Sequence, residues 1–550
     1  MQKTLREILK RLLLKRGING GEISEFISDK PKRTYDPFLM NNIRTAAERV
    51  IDAVKAKEKI CIYGDYDADG VTSTAIMFKY LSYLKADVGY YIPSRFSEGY
   101  GLNKDALSEL KKSGVDLVIT VDCGSVSYEE VEHGKEIGLD FVITDHHDIS
   151  EVIADAIVVS PKYPESIYPF SGLAGCGVVF KLIQAMQRLQ SVPKKLINEL
   201  LEFVAIGTIG DIMPMIDENR TMVKYGLQKL NTNPSIGLKK LMEFTCSNVE
   251  EITAEDVSFR IVPYINAAGR MGSADAALSL LLETDEEKAE KLARVLIENN
   301  EKRRAIQSEN FEECERLLAA GGKDDAVILL ECGYLHEGIA GIVAGKLKEK
   351  YSKPVILVTE SEEGLLKGSS RSFGKLNLHE FLDGFSYMFE RFGGHAGACG
   401  FTIKKEKFAE FEKGIVQRAN KLKAERPDLF EKTEEADLEV SIAEMSTDFL
   451  DELKELEPFG KGFERPMFAI KANNLQGARR LGNARNHIRF FGVDNRGRRL
   501  ACIKFNAHEK EMQDIESTNS AILLGYSEIN EWKGARFVQF KVSQVLPIMK

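Results

Sequence analysis

The chain of 550 residues is too long for one hydrophobic core, because domains usually hold about 100–200 residues. Its hydrophobic fraction of 43% and charged fraction of 29% are typical of globular proteins and exclude a disordered or fibrous chain. No segment approaches the ~18 consecutive apolar residues of a membrane span, and residues 1–15 lack the apolar core of a signal peptide. We therefore expect a multidomain cytoplasmic protein with no membrane attachment.

Cysteine spacing and the charge distribution further limit the classes of protein to which the chain can belong. The eight cysteines are scattered singly, which favours reduced thiols and argues against a disulfide framework or a structural zinc site. The net charge is −9, but nucleic-acid binding depends on local patches rather than on the total. Residues 471–510 form such a patch, with ten Lys or Arg and two Asp or Glu, a net +8.

In chain order, the first predicted elements are short apolar strands that alternate with helices between about residues 57 and 160. This pattern predicts an α/β fold with a mainly parallel sheet and helices on both faces. The functional residues of such sheets gather beyond the carboxyl ends of the strands. The predicted strands are 59–63, 88–92, 116–121, 141–144 and 156–159, with helices at 73–84 and 104–113.

The rest of the chain predicts three further regions. Residues 181–246 are helical with a break at 207–214, and 283–318 form a long amphipathic helix. A second strand–helix–strand unit follows, with strands at 326–330, 354–359 and 401–403 around a helix at 340–351. From about residue 434, short strands and glycine turns predict a small β-barrel, with strands at 489–493, 500–505, 521–526 and 537–542.

Carboxylates follow the first predicted strand at three alternate positions, Asp65, Asp67 and Asp69. Three carboxylates are costly to bury together without a cation. The alternative is that one of these aspartates caps the helix that we predict to begin near Thr72, and Asp69 is the favoured candidate for that cap.

Further acidic and imidazole side chains follow the later strands. Asp122 follows strand 116–121, Asp145-His146-His147 follows strand 141–144, and Asp211 lies in the glycine-containing break. Each alone is typical of a turn or a cap, but the sheet topology brings several strand ends to one edge. Carboxylates with imidazole suit Mn²⁺ or a similar divalent ion, whereas pure oxygen ligation favours Mg²⁺.

These motifs, in this order, resemble those of the DHH phosphoesterase superfamily, and most closely its single-stranded-DNA-specific exonucleases. Further matches to that family extend the resemblance as far as Gly400. The motifs are Gly64-Asp65-Tyr66-Asp67-Ala68-Asp69-Gly70, residues 93–101, Asp122-Cys123-Gly124, Asp145-His146-His147, Gly210-Asp211, and residues 266–270, 335–338, 368–372 and 393–400.

The resemblance implies a parallel-sheet DHH domain joined by a long helix to a smaller α/β DHHA1 domain, followed by a C-terminal OB-fold β-barrel. The expected limits are 1–50 for an N-terminal helical segment, 51–280 for the DHH domain, 281–322 for the linking helix, 323–425 for the DHHA1 domain and 434–550 for the OB-fold.

The resemblance also implies a site with two metal ions. Mn²⁺ is the expected ion, and Mg²⁺ is the alternative. The implied metal ligands are Asp65, Asp67, Asp69, Asp122, His146 and Asp211, with Asp122 as the bridge. Many family members carry a histidine where this chain has Tyr63, so either Asp69 or a water molecule replaces that ligand. The implied catalytic residues are Asp122, His146 and His147.

Substrate-binding residues come from the resemblance and from residue chemistry together. Arginine offers a bidentate fork to phosphate, and glycine lets backbone N–H groups approach it. For His336 the alternative is a helix N-cap. The implied phosphate-binding residues are Arg95, Arg270, His336, Ser369, Arg371 and His395.

The basic segment carries interleaved aromatic residues, the pattern of a surface that stacks unpaired bases. Some of these rings must belong to the core of the barrel. The aromatic residues are Phe490, Phe491, Phe505, Trp532 and Phe537.

The family resemblance implies a 5′-to-3′ exonuclease that degrades single-stranded DNA to mononucleotides in recombination and repair. A helicase and a single-strand-binding protein are candidate partners, and the expected state is a monomer. One rival is a phosphoesterase for short oligonucleotides or cyclic dinucleotides, which the basic region disfavours. The other is a replication or scaffold protein without metals, which the carboxylates at every motif disfavour.

Overall fold

The computed structural model describes residues 6–95, 98–149, 152–321, 325–333, 335–361, 364–432, 434–482, 485–532 and 534–548, without the side chain of Trp532. The helices are α1 Glu7–Lys15, α2 Ile23–Phe26, α3 Ile43–Ala56, α4 Ala68–Tyr83, α5 Lys104–Lys112, α6 Tyr128–Glu136, α7 Gly175–Leu189, α8 Lys194–Gly210, α9 Asp217–Thr232, α10 Ile236–Thr245, α11 Ala254–Asp256, α12 Val262–Met271, α13 Asp275–Leu282, α14 Glu286–Ala320, α15 Glu337–Tyr351, α16 Leu378–Asp383, α17 Lys405–Glu425, α18 Thr447–Lys454 and α19 Glu509–Ser517.

Three sheets contain the strands. The first has β1 Lys59–Tyr63, β2 Asp87–Tyr91, β3 Leu117–Val121, β4 Asp140–Thr144 and β5 Ile157–Val159. The second has β6 Ile328–Glu331, β7 Val355–Glu360, β8 Leu365–Arg371, β9 Phe389–His395 and β10 Ala398–Lys404. The third has β11 Leu438–Val440, β12 Phe468–Ala472, β13 Asn474–Leu481, β14 His487–Val493, β15 Arg499–Lys504, β16 Ala521–Trp532 and β17 Ala535–Pro547.

The first sheet is parallel throughout, in the order β2-β1-β3-β4-β5. The chain reaches successive parallel strands through crossover helices, as the alternating sequence pattern predicts. Strands β1, β3 and β4 are adjacent, so their carboxyl ends meet at one edge. The predicted α/β fold is confirmed.

Helix α4 begins earlier than the sequence pattern indicated. It starts at Ala68, directly after the carboxylate motif, and Asp67 caps it by accepting from the backbone N–H groups of Asp69 and Gly70. The alternative that Asp69 caps a helix beginning near Thr72 is therefore wrong. The break in the following helical region also lies later, between the end of α8 and the start of α9.

The second sheet has the order β6-β7-β8-β10-β9, with only β6 and β7 parallel. Strands β8 and β9 were missing from the predicted elements, because their glycine and serine content is untypical of strands. The long helix α14 precedes this sheet, as predicted, and contributes Cys314 and Leu318 to its core.

The third sheet is mixed and seven-stranded, in the order β11-β12-β16-β17-β15-β14-β13. Helix α1 packs Leu9, Leu12 and Leu13 into the core of this sheet, where all three are fully buried. Arg16 forms a bidentate pair with Asp437, at 2.8 and 2.9 Å. The N-terminal helix thus lies on the C-terminal sheet, a contact that sequence periodicity could not indicate. Within the described residues, no helix has the length and apolarity to cross a membrane.

Candidate metal centre and phosphate site

The candidate metal centre lies at the edge where β1, β3 and β4 end. Asp65, Asp67 and Asp69 follow β1, Asp122 follows β3, and His146 and His147 follow β4. Asp211 joins them from the carboxyl end of α8. Three groups have all their candidate ligand atoms within 4.8 Å of one another: Asp65, Asp67 and Asp122; Asp69, His146 and Asp211; and Asp122, His146 and His147.

His146 is at the centre of this cluster. Its Nε2 atom lies 3.1 Å from Asp122 Oδ1, 3.5 Å from Asp211 Oδ2 and 3.9 Å from Asp69 Oδ2. Asp122 and His146 each belong to two of the three groups, so these two residues link the groups into one cluster. The structure thus brings together all six predicted ligands and both histidines.

The carboxylates are fixed by backbone donors. Asp67 Oδ1 accepts from the N–H groups of Asp69 and Gly70 at the start of α4. Asp69 Oδ2 accepts from Gly175 N at 2.7 Å, and its Oδ1 accepts from Cys176 N at 2.9 Å. Negative charge is favoured at the N-terminal ends of both helices.

Two glycines allow helices to approach the cluster. A Cβ atom on Gly175 would lie 2.5 Å from Asp122 Oδ1, and one on Gly207 would lie 2.6 Å from Asp69 Oδ1. Both contacts are closer than packed atoms allow, so glycine is needed where α7 and α8 pass the carboxylates.

The cluster fits divalent cations. Among the described residues, Asp65 Oδ1, Asp122 Oδ1 and both ring nitrogens of His146 are buried without a hydrogen-bond partner. Burial, and then the charge of a neighbouring aspartate, raises the pKa of Asp65 to about 8 and that of Asp211 to about 8. Burial and Asp69 raise the pKa of Asp122 well above its usual value. Crowded carboxylates of this kind need positive charge to stay ionised.

Tyr63 takes no part in this cluster. Its ring is fully buried and its hydroxyl donates to Gly101 O at 3.2 Å. The candidate ligand atoms of Asp69, His146 and Asp211 lie within 4.8 Å of one another, so that all three could bind one ion. This favours Asp69 over a water molecule as the replacement for the histidine found in other family members.

Sequence reasoning missed Asp145 and Tyr100, which hold His147. Asp145 Oδ1 lies 2.8 Å from His147 Nδ1, and the Tyr100 hydroxyl lies 3.0 Å from the same nitrogen. Burial opposes a charged ring, but the hydrogen bond and charge of Asp145 raise the pKa of His147 to about 9. A carboxylate directly before two histidines was the available signal for Asp145. The contact with Tyr100 is long-range and left no local signal.

A cluster of arginines lies beside the metal centre. The guanidinium group of Arg95 lies over the ring of Tyr66, 5.1 Å from its centre. Burial, then the charges of Arg95 and Arg303, lowers the pKa of Arg270 to about 10. Among the described residues, Arg95, Arg270 and Arg371 form no ion pair with a carboxylate. Unpaired arginines that lie near one another are typical of an anion site.

The second sheet and α15 complete this cluster. Arg270 Nη1 donates to Gly338 O at 2.7 Å, which joins α12 to the first turn of α15. A Cβ atom on Gly341 would lie 2.3 Å from Arg371 Nη2 and 3.2 Å from Ser369 Oγ. A cavity of about 150 Å³ is lined by Arg95, Gly338, Ser369 and their neighbours.

The two remaining predicted phosphate ligands are placed differently. His336 is the N-cap residue of α15, but its side chain makes no cap hydrogen bond, so the alternative interpretation as a side-chain cap is wrong. His395 is exposed at the end of β9. Ala398 of β10 pairs with Arg371 of β8 on one side and with His395 of β9 on the other. The backbones of His395 and Arg371 are therefore two strand spacings apart, roughly 10 Å.

The basic patch lies on β13, β14 and β15. Phe491 is half-buried and lies near two arginines, 5.7 Å from Arg489 Cζ and 5.9 Å from Arg499 Cζ. Phe505 is 47% exposed, whereas Phe490 is fully buried and belongs to the core. Phe537 is half-buried, and the side chain of Trp532 lies outside the described residues.

Family models match the chain in three regions. The DHH family N-terminal domain matches residues 59–208, the DHHA1 domain 324–421 and the RecJ OB domain 436–544. The single-stranded-DNA-specific exonuclease RecJ of Haemophilus influenzae is 33% identical, over 94% of this chain and 92% of its own. The chain belongs to the RecJ family.

Other RecJ proteins agree with this assignment. RecJ of Bacillus subtilis is 36% identical over 97% of this chain, which covers 67% of that protein. The crystal structure of Thermus thermophilus RecJ in complex with Mn²⁺ has a TM-score of 0.82 at 28% identity, covering 98% of this chain and 76% of that one. An exonuclease RecJ bound to manganese has a TM-score of 0.60 at 33% identity, covering 69% of this chain and 94% of that one. The RecJ fold, with its three sheets in this order, is confirmed.

Proposed function

We propose that this protein is a metal-dependent exonuclease that degrades single-stranded DNA from the 5′ end to mononucleotides. The observation that carries the proposal is the buried cluster of six candidate ligands beside unpaired arginines. The matched RecJ proteins are named single-stranded-DNA-specific exonucleases, and solved RecJ structures hold Mn²⁺ or Mg²⁺.

Two divalent ions would be bound at this centre, with Mn²⁺ as the preferred ion. The residues that would hold them are Asp65, Asp67, Asp69, Asp122, His146 and Asp211. When bound, such a pair supplies Lewis-acid stabilisation of phosphoryl oxygens and activates water for hydrolysis. The bridging role of Asp122 follows from the family resemblance; Asp122 and His146 each belong to two ligand groups. Asp145 and Tyr100 orient His147, whose ring is 44% exposed and available to the substrate.

The arginine cluster would hold the phosphate at the end of the strand. Arg95, Arg270 and Arg371 provide charge and forked donors, and Ser369 adds a hydroxyl group. An anchored terminal phosphate next to the metal centre places the first phosphodiester at the reacting position, which explains exonuclease action. The choice of the 5′ terminus follows from the family resemblance. His336 and His395 stay predictions as substrate ligands.

The basic surface around Phe491 would hold the strand further from the reacting end. Exposed arginines contact phosphates, and an exposed ring stacks on unpaired bases, which favours single strands. A role in recombination and repair, the helicase and single-strand-binding partners, the monomeric state and the domain limits all stay predictions. Location in the cytoplasm is supported by eight cysteines without a disulfide bond.

A nuclease assay with metal analysis tests the proposal. Purified protein with Mn²⁺ should release mononucleotides from a labelled single strand and leave the matched duplex intact. Removal of divalent ions with a chelator should stop release, and added Mn²⁺ should restore it. Degradation that continues without divalent ions would refute the metal-dependent mechanism.

A further inference from the structure

A cavity of about 480 Å³ opens beside the metal centre, on the side of the C-terminal region. Ile209 and Ile212, which flank the candidate ligand Asp211, line one wall, and Lys461 lies in another. Nucleotide and cofactor pockets usually have volumes of roughly 300–1,000 Å³. The cavity is therefore large enough for a nucleobase, and its wall includes Ile212, the residue that directly follows the candidate ligand Asp211.

Exposed apolar side chains line this cavity. Phe259 is 72% exposed and Ile212 is 67% exposed, although large apolar side chains are usually covered. Phe259 lies on a π-helical segment, Val257–Ile261, that leads into α12. Single π turns inside helices are often found at functional sites. An exposed ring beside a nuclease centre is suited to stack on an unpaired base.

Lys461 brings a positive charge to the same cavity. Its backbone is fixed, because Lys461 O accepts from Met215 N at 2.7 Å. Among the described residues, Lys461 forms no ion pair. The other cation of the cavity, Arg465, does form one: its Nη1 atom lies 3.8 Å from Glu255 Oε2.

The segment that carries Lys461 is anchored by Arg220. Arg220 is 5% exposed and donates to Leu456 O, Glu457 O and Pro458 O, at 2.7, 3.0 and 2.7 Å. Its guanidinium group also lies 3.9 Å from the ring centre of Phe26. Such anchoring fixes the position of Lys461 relative to the catalytic residues.

We propose that this cavity is a second nucleotide subsite, in which Phe259 stacks on a base and Lys461 contacts a backbone phosphate of the strand beyond the reacting bond. The proposal rests on the exonuclease function proposed above. Glu255, Glu457 and Glu464 also line the cavity and disfavour a phosphate inside it. The base therefore lies inside the cavity and the phosphate at Lys461, at its edge.

Single-position changes in the substrate test the stacking contact. The full-length protein with Mn²⁺ is given 5′-phosphorylated single strands that each lack one base, and kcat/KM is measured for each. In the wild type, one abasic position close to the cleaved bond should lower kcat/KM roughly tenfold. Phe259→Ala should lower kcat/KM equally on the intact strand and show no further loss at that position. Tyr387→Ala is the matched control, because Tyr387 is also 72% exposed but lies outside the cavity.

A methylphosphonate scan tests the phosphate contact in the same way. Lys461→Met should remove the sensitivity to one neutralised phosphate, and Lys413→Met, at an exposed position of α17, should retain it. If Phe259→Ala and Tyr387→Ala respond alike at every abasic position, the subsite is refuted while the exonuclease function stands. If the wild type degrades no intact single strand, the proposed function fails, and this inference fails with it.

Discussion

Asp122 holds a strained backbone conformation at the centre of the carboxylate cluster. Its φ of 64° lies in the left-handed region, which Asp and Asn tolerate better than other side chains except glycine. Strain of this kind persists where the surrounding structure fixes it, often at functional sites. Here Gly175 packs against the side chain, and His146 Nε2 lies 3.1 Å from Asp122 Oδ1.

We expect Asp122→Asn to abolish hydrolysis while the fold stays intact, because asparagine tolerates the same φ but lacks the negative charge of a bridging ligand. Activity on single-stranded DNA and bound Mn²⁺ per chain measure the effect. Asp148→Asn is the control, since within the described part of the chain Asp148 pairs only with Lys162, on the surface. Turnover near the wild-type rate, with Mn²⁺ in excess, would contradict the bridging role.

Gly341 tests the phosphate cluster without deleting a charge. A methyl group there would lie 2.3 Å from Arg371 Nη2, so Gly341→Ala should displace the guanidinium group and raise KM by roughly tenfold with little change in bound Mn²⁺. Gly345→Ala, one turn along α15, has no atom within 4 Å of the added carbon and should leave KM unchanged. Equal loss of metal in the Gly341 variant would place Arg371 at the metal centre instead.

At the residue scale, the sequence predicted that Asp65, Asp67, Asp69, Asp122 and His146 lie close together, because each follows a strand of one parallel sheet. Asp211 instead comes from the end of α8. The sequence could not show which aspartate caps α4, because the cap depends on the residue at which the helix begins. Gly70 disfavoured a helix that begins as early as Ala68, since glycine has a low helix propensity. Tyr100 reaches His147 from a separate loop, and no local pattern encodes such a contact.

At the scale of elements, the position of the centre depends on how closely two helices pass it. Gly207 of α8 lies against Thr72, Asp69 and Cys176, with an added Cβ at 2.5, 2.6 and 2.6 Å from their side chains. Interiors are packed too densely to absorb an extra methyl group without movement. The packing of α4, α7 and α8 therefore fixes Asp69.

Gly207→Ala should lower the free energy of unfolding by about 1–3 kcal/mol and weaken Mn²⁺ binding, because Asp69 must move. Denaturant unfolding and calorimetric titration with Mn²⁺ measure the two effects. Gly345→Ala, which adds the same methyl group in open space, controls for the change in helix propensity. Unchanged Mn²⁺ affinity in a destabilised variant would show that Asp69 is not a ligand.

Periodicity predicted the strands of the first sheet within about one residue, because all of them except the partly exposed β2 are largely buried and rich in β-branched residues. It failed for β8 and β9, where Gly368 faces the ring of Phe401, and Gly393 and Gly394 occupy strand positions. Glycine at Gly368 and Gly394 permits close packing, and glycines in strands remove the apolar signal that identifies a strand.

At the scale of the whole molecule, the two ends of the chain meet. Helix α1 buries three leucines in the C-terminal sheet, and Arg220 of α9 holds the segment between β11 and β12 of that sheet. The N-terminal helical segment was expected, but its partner was not, since that contact joins residues more than 400 positions apart. Deletion of residues 434–550 would expose this leucine face, so substitutions test the basic surface more cleanly.

The basic surface should act through salt-dependent contacts. Arg489→Gln with Arg496→Gln should weaken binding to long single strands and make the slope of log K against log salt shallower by ~0.7 for each lost phosphate contact. Arg480→Gln is the matched control, because Glu509 and Glu516 already neutralise Arg480. An unchanged slope in the double variant would mean that the strand is held by the metal centre and the arginine cluster without the basic surface.

The most direct test of the account is a comparison of blocked ends. A single strand with a bulky adduct at one terminus is incubated with the protein and Mn²⁺, and mononucleotide release is followed over time. We predict that a 5′ adduct stops release from the first nucleotide, because the arginine cluster beside Asp65 and Asp67 must bind the terminal phosphate, whereas a 3′ adduct leaves the initial rate unchanged. Sensitivity to the 3′ adduct alone would contradict the account.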